Sequence, residues 1–177
     1  MRARPERNEG RTTMPGGRGV VLCALMLTGA SAPVLAIAQG ATEGAGAAAA
    51  ATVIHQELDL AVSPARVYAA LLDAHQFREL TGGQATEIQP EAGGVFSCFG
   101  GHIVGRNVEL VPDRRVVQAW RVVTWPEGVY SIARFELKPQ GAGTRLIFDH
   151  TAFPAGQRDH LAAGWEEHYW GPLRGLK

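Results

Sequence analysis

The chain has 177 residues, with 17 Lys and Arg, 17 Asp and Glu, and a formal net charge of zero. Residues 1–38 hold five arginines and two glutamates, so residues 39–177 carry 12 basic and 15 acidic groups, a net charge of −3. Neutralising phosphate groups requires a basic patch, so this mildly acidic segment is not typical of a nucleic-acid-binding protein, and we expect no nucleic-acid partner.

The first 38 residues have the three-part pattern of a secretory signal peptide. Arginines precede the short apolar run Val20–Leu27, and the sequence Ala-Ile-Ala, ending at Ala38, offers the small residues that a signal peptidase requires. The run is too short for a stable membrane span. We expect cleavage after Ala38 and a periplasmic or secreted mature chain. An uncleaved anchor and a cytosolic tail are the alternatives, and translation starts at Met1 or Met14.

A linker and one folded domain follow the expected cleavage point. Residues 39–51 are rich in Gly and Ala, which favours a flexible linker. Residues 52–177 contain regularly spaced Val, Ile, Leu, Phe and Trp, enough to form a hydrophobic core without disulfide bonds or metal ions. Of the two cysteines, Cys23 falls in the expected signal peptide. Cys98 then has no partner for an internal disulfide, and we expect a buried apolar residue rather than a reactive thiol.

The domain begins with a strand and two short helices. Thr52–Leu60 alternates between apolar and polar residues, as a half-buried strand does. Ser63 suits the N-cap position, and Pro64 the first position, of the helix that follows. A second short helix is predicted for Ala74–Leu80, and a Gly-Gly pair ends it.

Six more strands with tight turns follow, and the chain ends in a helix. The predicted strands are Ala85–Ile88, Gly94–Cys98, His102–Val111, Arg115–Thr124, Tyr130–Lys138 and Thr144–Ala152. The final helix begins near Ala155, and its apolar residues recur at helical spacing: Leu161, Trp165, Tyr169, Pro172 or Leu173, and Leu176. Pro172 is expected to kink or end this helix, because it lacks an N–H and its ring clashes with the preceding turn.

Several motifs in this order of elements are shared with a known family. They are Ser63–Tyr68, Gly100–Gly105, Leu110–Pro112, Trp120–Arg121, Trp125–Gly128 and Gly164–Tyr169. Over about Val53 to Leu176 the chain resembles the START-like (SRPBCC) superfamily, and within it the C-terminal domain of the activators of the heat-shock protein 90 ATPase. The resemblance implies an α+β helix-grip fold. In that fold a curved antiparallel sheet of about six to seven strands wraps a long C-terminal helix, two short helices follow the first strand, and an apolar tunnel lies between sheet and helix.

The superfamily includes lipid carriers, hormone receptors, aromatic polyketide cyclases and chaperone activators, so the fold does not name the function. We expect an exported domain that binds a small, largely apolar molecule in the tunnel without a cofactor. Two alternatives stay open. One is an enzyme, such as a cyclase or dehydratase, that uses a cavity histidine. The other is a chaperone activator-like interaction module, which requires a cytosolic location because its chaperone partner is cytosolic.

Aromatic rings and a neutral imidazole suit an apolar binding site. The candidate ligand-binding residues are therefore Phe96, Trp120, Tyr130, Phe148, His150, Trp165 and Tyr169. Core packing is the competing role for the tryptophans and Tyr169, and alternation along Arg115–Thr124 leaves the inward face of that strand open. His150 shares a strand face with Leu146, Phe148 and Ala152, which predicts an inward position. There it bonds a ligand, acts as a base, or is a hydrogen-bonded core histidine.

Three further features have open roles. Arg106 lies on an apolar strand face, so it binds a carboxylate there, has another partner, or is turned outward by a bulge. The Trp125–Gly128 turn either packs on the core or gates the tunnel. His160 and His168 lie on similar faces of the last helix, but they are about 12 Å apart at the standard helical rise, too far for one metal ion. The sequence shows no Cys–His cluster, so we expect no metal site.

Overall fold

The structure of the protein is a computed structural model, and it describes residues 53–177. The expected signal peptide, residues 1–38, and the expected linker, residues 39–51, lie outside the described residues, as does Cys23. The signal peptide and its cleavage after Ala38 therefore stay predictions.

Seven antiparallel strands form one sheet, as predicted. They are β1 Val53–Leu60, β2 Glu87–Ile88, β3 Val95–Cys98, β4 Ile103–Val111, β5 Arg115–Val122, β6 Ser131–Gln140 and β7 Gly143–Thr151. The strand order is β1-β7-β6-β5-β4-β3-β2, so every strand from β2 to β7 pairs with its neighbour in sequence. Tight turns favour this antiparallel pairing. Only β1 is placed by a distant partner: it lies beside β7, with Ile54 opposite His150.

Two short helices connect β1 to β2, also as predicted. In α1, Pro64–Leu72, the Ser63 hydroxyl accepts a hydrogen bond from a first-turn backbone N–H at 3.3 Å. In α2, Ala74–Leu80, the Asp73 carboxylate does the same at 2.8 Å. These caps satisfy N–H groups that have no partner inside the helix. None of the helices within residues 53–177 is long and apolar enough to cross a membrane.

Alternation along the strands divides the sheet into a buried inner face and a charged outer face. On β7, Phe148 and His150 are fully buried, whereas Arg145 and Asp149 point outward and form ion pairs with acidic and basic side chains of β1 and β6. The facing of β5, which its sequence leaves open, is decided in the same way. Its buried residues are Val116, Gln118, Trp120 and Val122.

A β-bulge in β4 decides the orientation of Arg106. The register with β5 shifts between Asn107 and Glu109, and Asn107 is fully buried, where its Oδ1 accepts a hydrogen bond from Gln118 Nε2 at 3.0 Å. Arg106 is exposed, and its Nη1 donates to the Gly93 carbonyl at 2.9 Å. The charge therefore stays in water, as the high cost of burying it requires.

Some strands are shorter than predicted. β2 begins only at Glu87, and β5 ends at Val122. β7 ends at Thr151 because Ala152 has φ 61°, a left-handed conformation uncommon for residues with a side chain. Ala152 was expected to face inward but is exposed. A 3₁₀ turn at Phe99–Gly101, which the sequence patterns do not predict, separates β3 from β4.

The C-terminal helical segment continues past Pro172, so of the two expected effects of this residue, a kink or an end, the end does not occur. α3, Arg158–Trp165, runs into a π-helical turn, Glu166–Trp170, and then into α4, Gly171–Arg174. The disturbance caused by Pro172 is instead a widened turn just before it, in which the first N–H of α4 bonds the Glu166 carbonyl, five residues back. The extra residue in this turn lets Tyr169 and Trp170, adjacent in sequence, both be buried, at 8% and 1% exposure.

Candidate functional site

Aromatic rings fill the space between the inner face of the sheet and the C-terminal helical segment. The ring centroid of Trp165 lies 4.4 Å from that of Phe148, 4.2 Å from Tyr169 and 5.6 Å from Trp170. Phe135 lies 5.8 Å from Trp165 on the sheet side. Phe148, Trp165 and Trp170 are each at most 2% exposed. A packed core therefore stands where the family resemblance implies an open tunnel.

His150 belongs to a buried chain of hydrogen bonds within this core. The Trp165 indole Nε1–H donates to His150 Nδ1 at 2.9 Å. An indole N–H only donates, so Nδ1 is unprotonated and the proton of the neutral ring is on Nε2. This Nε2–H donates to Ser131 Oγ at 2.7 Å, and the Ser131 hydroxyl donates to the Trp120 carbonyl at 2.8 Å. Every polar atom in this series of hydrogen bonds therefore has a partner.

The same chain determines what His150 does chemically. Burial lowers the pKa of His150 to about 3, because the protonated ring would lose its hydration without gaining an anionic partner. A catalytic serine with a histidine general base needs the opposite proton arrangement, in which an imidazole nitrogen accepts a hydrogen bond from the serine hydroxyl. Ser131 and His150 are both fully buried. Of the roles that the sequence leaves open, the structure shows a hydrogen-bonded core histidine that positions Trp165.

A pocket of about 260 Å³ lies between α3, the 3₁₀ turn and the ends of β4 and β5. Its apolar walls are Phe99, Ile103, Trp120, Val122, Leu161, Trp165 and Tyr169. Polar side chains at its edge are Gln84, His102, His160 and His168, and Gly164 completes the lining. Trp165 forms both a wall of the pocket and the donor end of the His150 chain, so the buried hydrogen bonds hold one wall in place.

Two polar groups lie deeper, among the apolar walls. The Trp120 indole Nε1–H is buried and has no partner with normal hydrogen-bond geometry. Burial has the larger effect on the Tyr169 hydroxyl and raises the pKa of Tyr169 well above its usual value. The nearby Trp120 indole N–H stabilises the ionised form of this hydroxyl and so lowers the pKa of Tyr169, but by less. An unsatisfied buried donor costs roughly 1–3 kcal/mol. An acceptor atom on a bound molecule would remove this cost.

The structure brings three of the seven candidate residues together at the pocket, namely Trp120, Trp165 and Tyr169. Phe148 and His150 lie behind Trp165 in the core. Phe96 packs over Gly105, where an added Cβ would lie 2.3 Å from the Phe96 ring. It lines a small void of about 10 Å³ and a more open depression beside β2 and β3, but not this pocket.

Tyr130 does not lie with the other candidates. It is 45% exposed, and its ring stacks under the Arg121 guanidinium, 5.6 Å away. The physical reason is that β6 begins only at Ser131, so Tyr130 belongs to the preceding loop and has no place on the inner face of the sheet.

Sequence patterns missed the histidines and Gly164 as pocket residues. His160, Gly164 and His168 are spaced four apart on the last helix, beside the buried stripe of Leu161, Trp165 and Tyr169. Residues four apart share a helix face, so this spacing is a usable signal for one polar edge beside an apolar wall. Phe99 lies in the 3₁₀ turn and His102 directly follows it, and the sequence has no comparable signal for this turn.

The remaining candidates have structural roles. Trp125 is 8% exposed and packs edge-to-face on Trp120 with centroids 5.6 Å apart, and its carbonyl accepts from Arg121 Nη2 at 2.6 Å. The turn therefore packs on the core and does not line the pocket. Cys98 is a free, buried thiol in β3, as expected, and burial raises its pKa to about 12. Within residues 53–177, no group of three or more His, Cys, Asp or Glu could hold a metal ion.

Solved structures share this fold. An HSP90 activator from Plasmodium falciparum superimposes with a TM-score of 0.68 at 23% identity, covering 71% of this chain and 98% of that one. CalU16 from Micromonospora echinospora, in its solution structure, superimposes with a TM-score of 0.60 at 19% identity and covers 71% of this chain and 65% of that one. At these identities the likeness concerns the fold.

Sequence comparison points to the same family. The chain is 30% identical over 89 residues to activator of 90 kDa heat shock protein ATPase homolog 2 of Mus musculus, covering 50% of this chain and 27% of the relative. It is 26% identical over 112 residues to homolog 1 of Homo sapiens, covering 63% of this chain and 33% of the relative. The chain thus spans about a third of the length of these relatives. The model of the family described as Activator of Hsp90 ATPase homolog 1-like protein matches residues 61–176, and the chain therefore belongs to that family.

Proposed function

We propose that this domain binds a small, largely apolar molecule in the pocket beside Trp120, Trp165 and Tyr169. The observation that carries the proposal is the combination of preformed aromatic walls with a buried indole N–H that makes no hydrogen bond of normal geometry within the described residues. Small-molecule sites are typically concave and apolar, with a few polar groups that fix orientation. The walls supply the buried apolar surface, and the Trp120 indole supplies an orienting donor.

The size of the pocket limits the ligand. Its volume of about 260 Å³ lies just below the range of about 300–1,000 Å³ that is usual for drug-sized ligands. A cavity of about 150 Å³ lined by apolar side chains is large enough for benzene. A molecule with one or two rings fits this range, whereas a long acyl chain or a sterol does not.

Filling the pocket from Gly164 is expected to abolish binding. Gly164 lines the pocket, and an added Cβ at this position meets no atom within 4 Å. The larger side chain of Gly164→Leu has room to enter the pocket, whereas Gly164→Ala adds one methyl group and gains about 1 kcal/mol of helix propensity. Binding of the uncharged probe naphthalene is measured by titrating tryptophan fluorescence and the four indole N–H signals in NMR spectra.

In the native chain and in Gly164→Ala, the indole signals of Trp120 and Trp165 should shift on addition of naphthalene, and that of Trp170 should shift least. In Gly164→Leu these shifts should disappear while the spectrum stays folded. Equal binding by all three proteins, or shifts confined to surface residues, would contradict the proposal.

We also propose that the chain is exported and cleaved after Ala38. The basic, apolar and small-residue segments of the first 38 residues support this location. We expect native mass spectrometry of the protein from its host's exported fraction to give a mass that begins at Gln39, with a small molecule retained. A full-length mass confined to the cytosolic fraction would contradict export.

The chaperone-activator alternative is favoured by a separate observation. Several relatives of this chain carry the name of activators of the 90 kDa heat shock protein ATPase. The chain matches only about a third of the length of those proteins. The question to test is therefore whether this shared part alone activates the chaperone ATPase. If the chain is cytosolic and accelerates ATP hydrolysis by its host's chaperone of this class, the alternative is correct.

A further inference from the structure

The polar edge of the pocket contains hydrogen-bond donors but no carboxylate. Among the described residues that line it, the polar side chains at the edge are Gln84, His102, His160 and His168. The three imidazoles are exposed, and each neutral ring has one N–H to donate. No Asp, Glu, Lys or Arg of the described chain is among the lining residues. An anionic group placed at this edge would therefore meet donors and no like charge.

Of the three acidic residues of the same helical segment, two are engaged elsewhere, and the third, Glu167, is exposed and does not line the pocket. Glu166 forms an ion pair with Arg174, and Asp159 lies 3.2 Å from Arg158. These pairs are exposed and contribute little to stability, but each places a positive charge beside the carboxylate. Repulsion of an incoming anion by these two carboxylates is thereby reduced.

The floor of the pocket selects for a flat, unsaturated molecule. Trp120 and Trp165 have ring centroids 5.5 Å apart with an interplanar angle of 38°, and the Tyr169 ring lies 4.2 Å from Trp165. Phe99 approaches from the opposite turn, 5.6 Å from Tyr169. Aromatic rings attract one another in offset and edge-to-face arrangements, beyond the effect of burial alone. A planar ring gains from these walls in a way that an aliphatic chain does not.

The aromatic floor and the imidazole edge are parts of one continuous pocket. Phe99 and His168 have ring centroids 5.8 Å apart, so an edge histidine contacts a floor ring directly. His160 and His168 flank Gly164 along one helix face, and His102 follows the 3₁₀ turn on the opposite side. A ligand with a ring on the floor thus presents its polar end to imidazoles from two different elements.

We infer that the ligand is a small aromatic carboxylate. Its ring lies against Trp120 and Trp165, and its carboxylate accepts hydrogen bonds from imidazoles at the edge, where His160 and His168 are alternative donors because they lie about 12 Å apart along the helix. This inference rests on the proposed function and specifies the chemical class of the ligand. Hydrogen bonds to an ionised group are roughly twice as strong as those between neutral groups, so the acid binds more tightly than its neutral counterparts.

Three probes of nearly equal shape test the inference on the full chain. They are naphthoate, its uncharged amide naphthamide, and the cation naphthylmethylammonium, each titrated against tryptophan fluorescence. We expect naphthoate to bind about tenfold more tightly than naphthamide, and the cation to bind most weakly. The variant His102→Ala/His160→Ala/His168→Ala is expected to bind the acid and the amide about equally.

The control is His75→Ala, since His75 is an exposed histidine of α2 that does not line the pocket. This variant should keep the preference of the native chain for the acid. Circular dichroism shows whether each variant is folded, and the exposure of the substituted histidines favours retention of the fold.

The outcomes separate this inference from the proposed function. If naphthamide and naphthoate bind equally well, the inference fails and the apolar pocket stands. If the acid is preferred but the triple variant keeps that preference, the histidines are not its cause and the inference also fails. If none of the probes binds, and Gly164→Leu changes nothing, the proposed function fails with it.

Discussion

Acidification from above pH 6.5 to about pH 4 is expected to reduce the free energy of unfolding by about 3 kcal/mol through His150 alone. Burial lowers the pKa of this histidine in the folded state to about 3, whereas the unfolded chain binds the proton near pH 6.5. Between these values the unfolded state carries one more proton than the folded state. The stability contribution is therefore complete above pH 6.5 and is lost as the pH falls.

Urea unfolding at several pH values measures this effect. His150 should give a slope of about 1.4 kcal/mol per pH unit below pH 6, because one proton is bound on unfolding. The variant His150→Gln offers an acceptor and a donor in the same buried position but does not titrate, so it should start less stable and lack this part of the slope. The control variant His75→Gln replaces an exposed histidine and should keep the native slope.

Carboxylates complicate the lower end of the curve, so the difference between proteins is the quantity to compare. The pKa of Glu57 is lowered chiefly by its hydrogen bond to Arg145, and that of Glu109 by its hydrogen bond to Arg115. Stability from such groups is lost as the pH falls below their unfolded values. They are unchanged in His150→Gln. An identical slope in His150→Gln and the native chain would show that His150 does not carry the effect.

Replacing Trp165 by alanine is expected to lower the free energy of unfolding by about 3–5 kcal/mol. Its side chain is 2% exposed and contacts rings from both the sheet and the helical segment, so its removal leaves a cavity that neighbouring side chains fill only in part. It also deprives His150 Nδ1 of its donor. Chemical denaturation followed by circular dichroism measures the change.

A conservative variant separates these two causes. Trp165→Phe keeps most of the apolar contact and removes the N–H, so a loss of about 1–3 kcal/mol is expected from the unsatisfied His150 nitrogen together with the smaller ring. Tyr130→Ala truncates a ring that is 45% exposed and should cost less than about 1 kcal/mol. If Trp165→Ala were no more harmful than Tyr130→Ala, the central role of Trp165 in the core would be refuted.

Local patterns predicted most of the fold because they act over a few residues. The N-cap at Ser63, the alternation along β1 and β7, and the apolar spacing of the last helix each reflect one element burying one face. The predicted boundaries were less accurate where the backbone takes an unusual conformation. Ala152 and Phe99 adopt left-handed φ values, and such values are hard to predict from the sequence at residues other than glycine.

The pocket was harder to predict because its walls come from elements far apart in sequence. Trp120 and Trp165 were identified as aromatic candidates together with Phe148 and His150. Which of them line the pocket and which lie in the core depends on how the helical segment lies on the sheet. His150 was correctly placed inward, yet its role depends on Trp165 and Ser131, which are 15 and 19 residues away. No periodicity within β7 contains that information.

By itself, the sequence determined the order of elements, the antiparallel sheet, the family resemblance and the burial of His150 and Cys98, because hydrophobic periodicity, capping and turn residues are local. The tertiary structure alone decided that a packed aromatic core stands in place of the expected tunnel, that Arg106 faces water across a bulge, and that His150 positions Trp165. Each of these depends on which side chains meet across different elements. That outcome follows from the packing of the whole domain, because a close-packed interior leaves space only where no neighbouring element supplies a side chain.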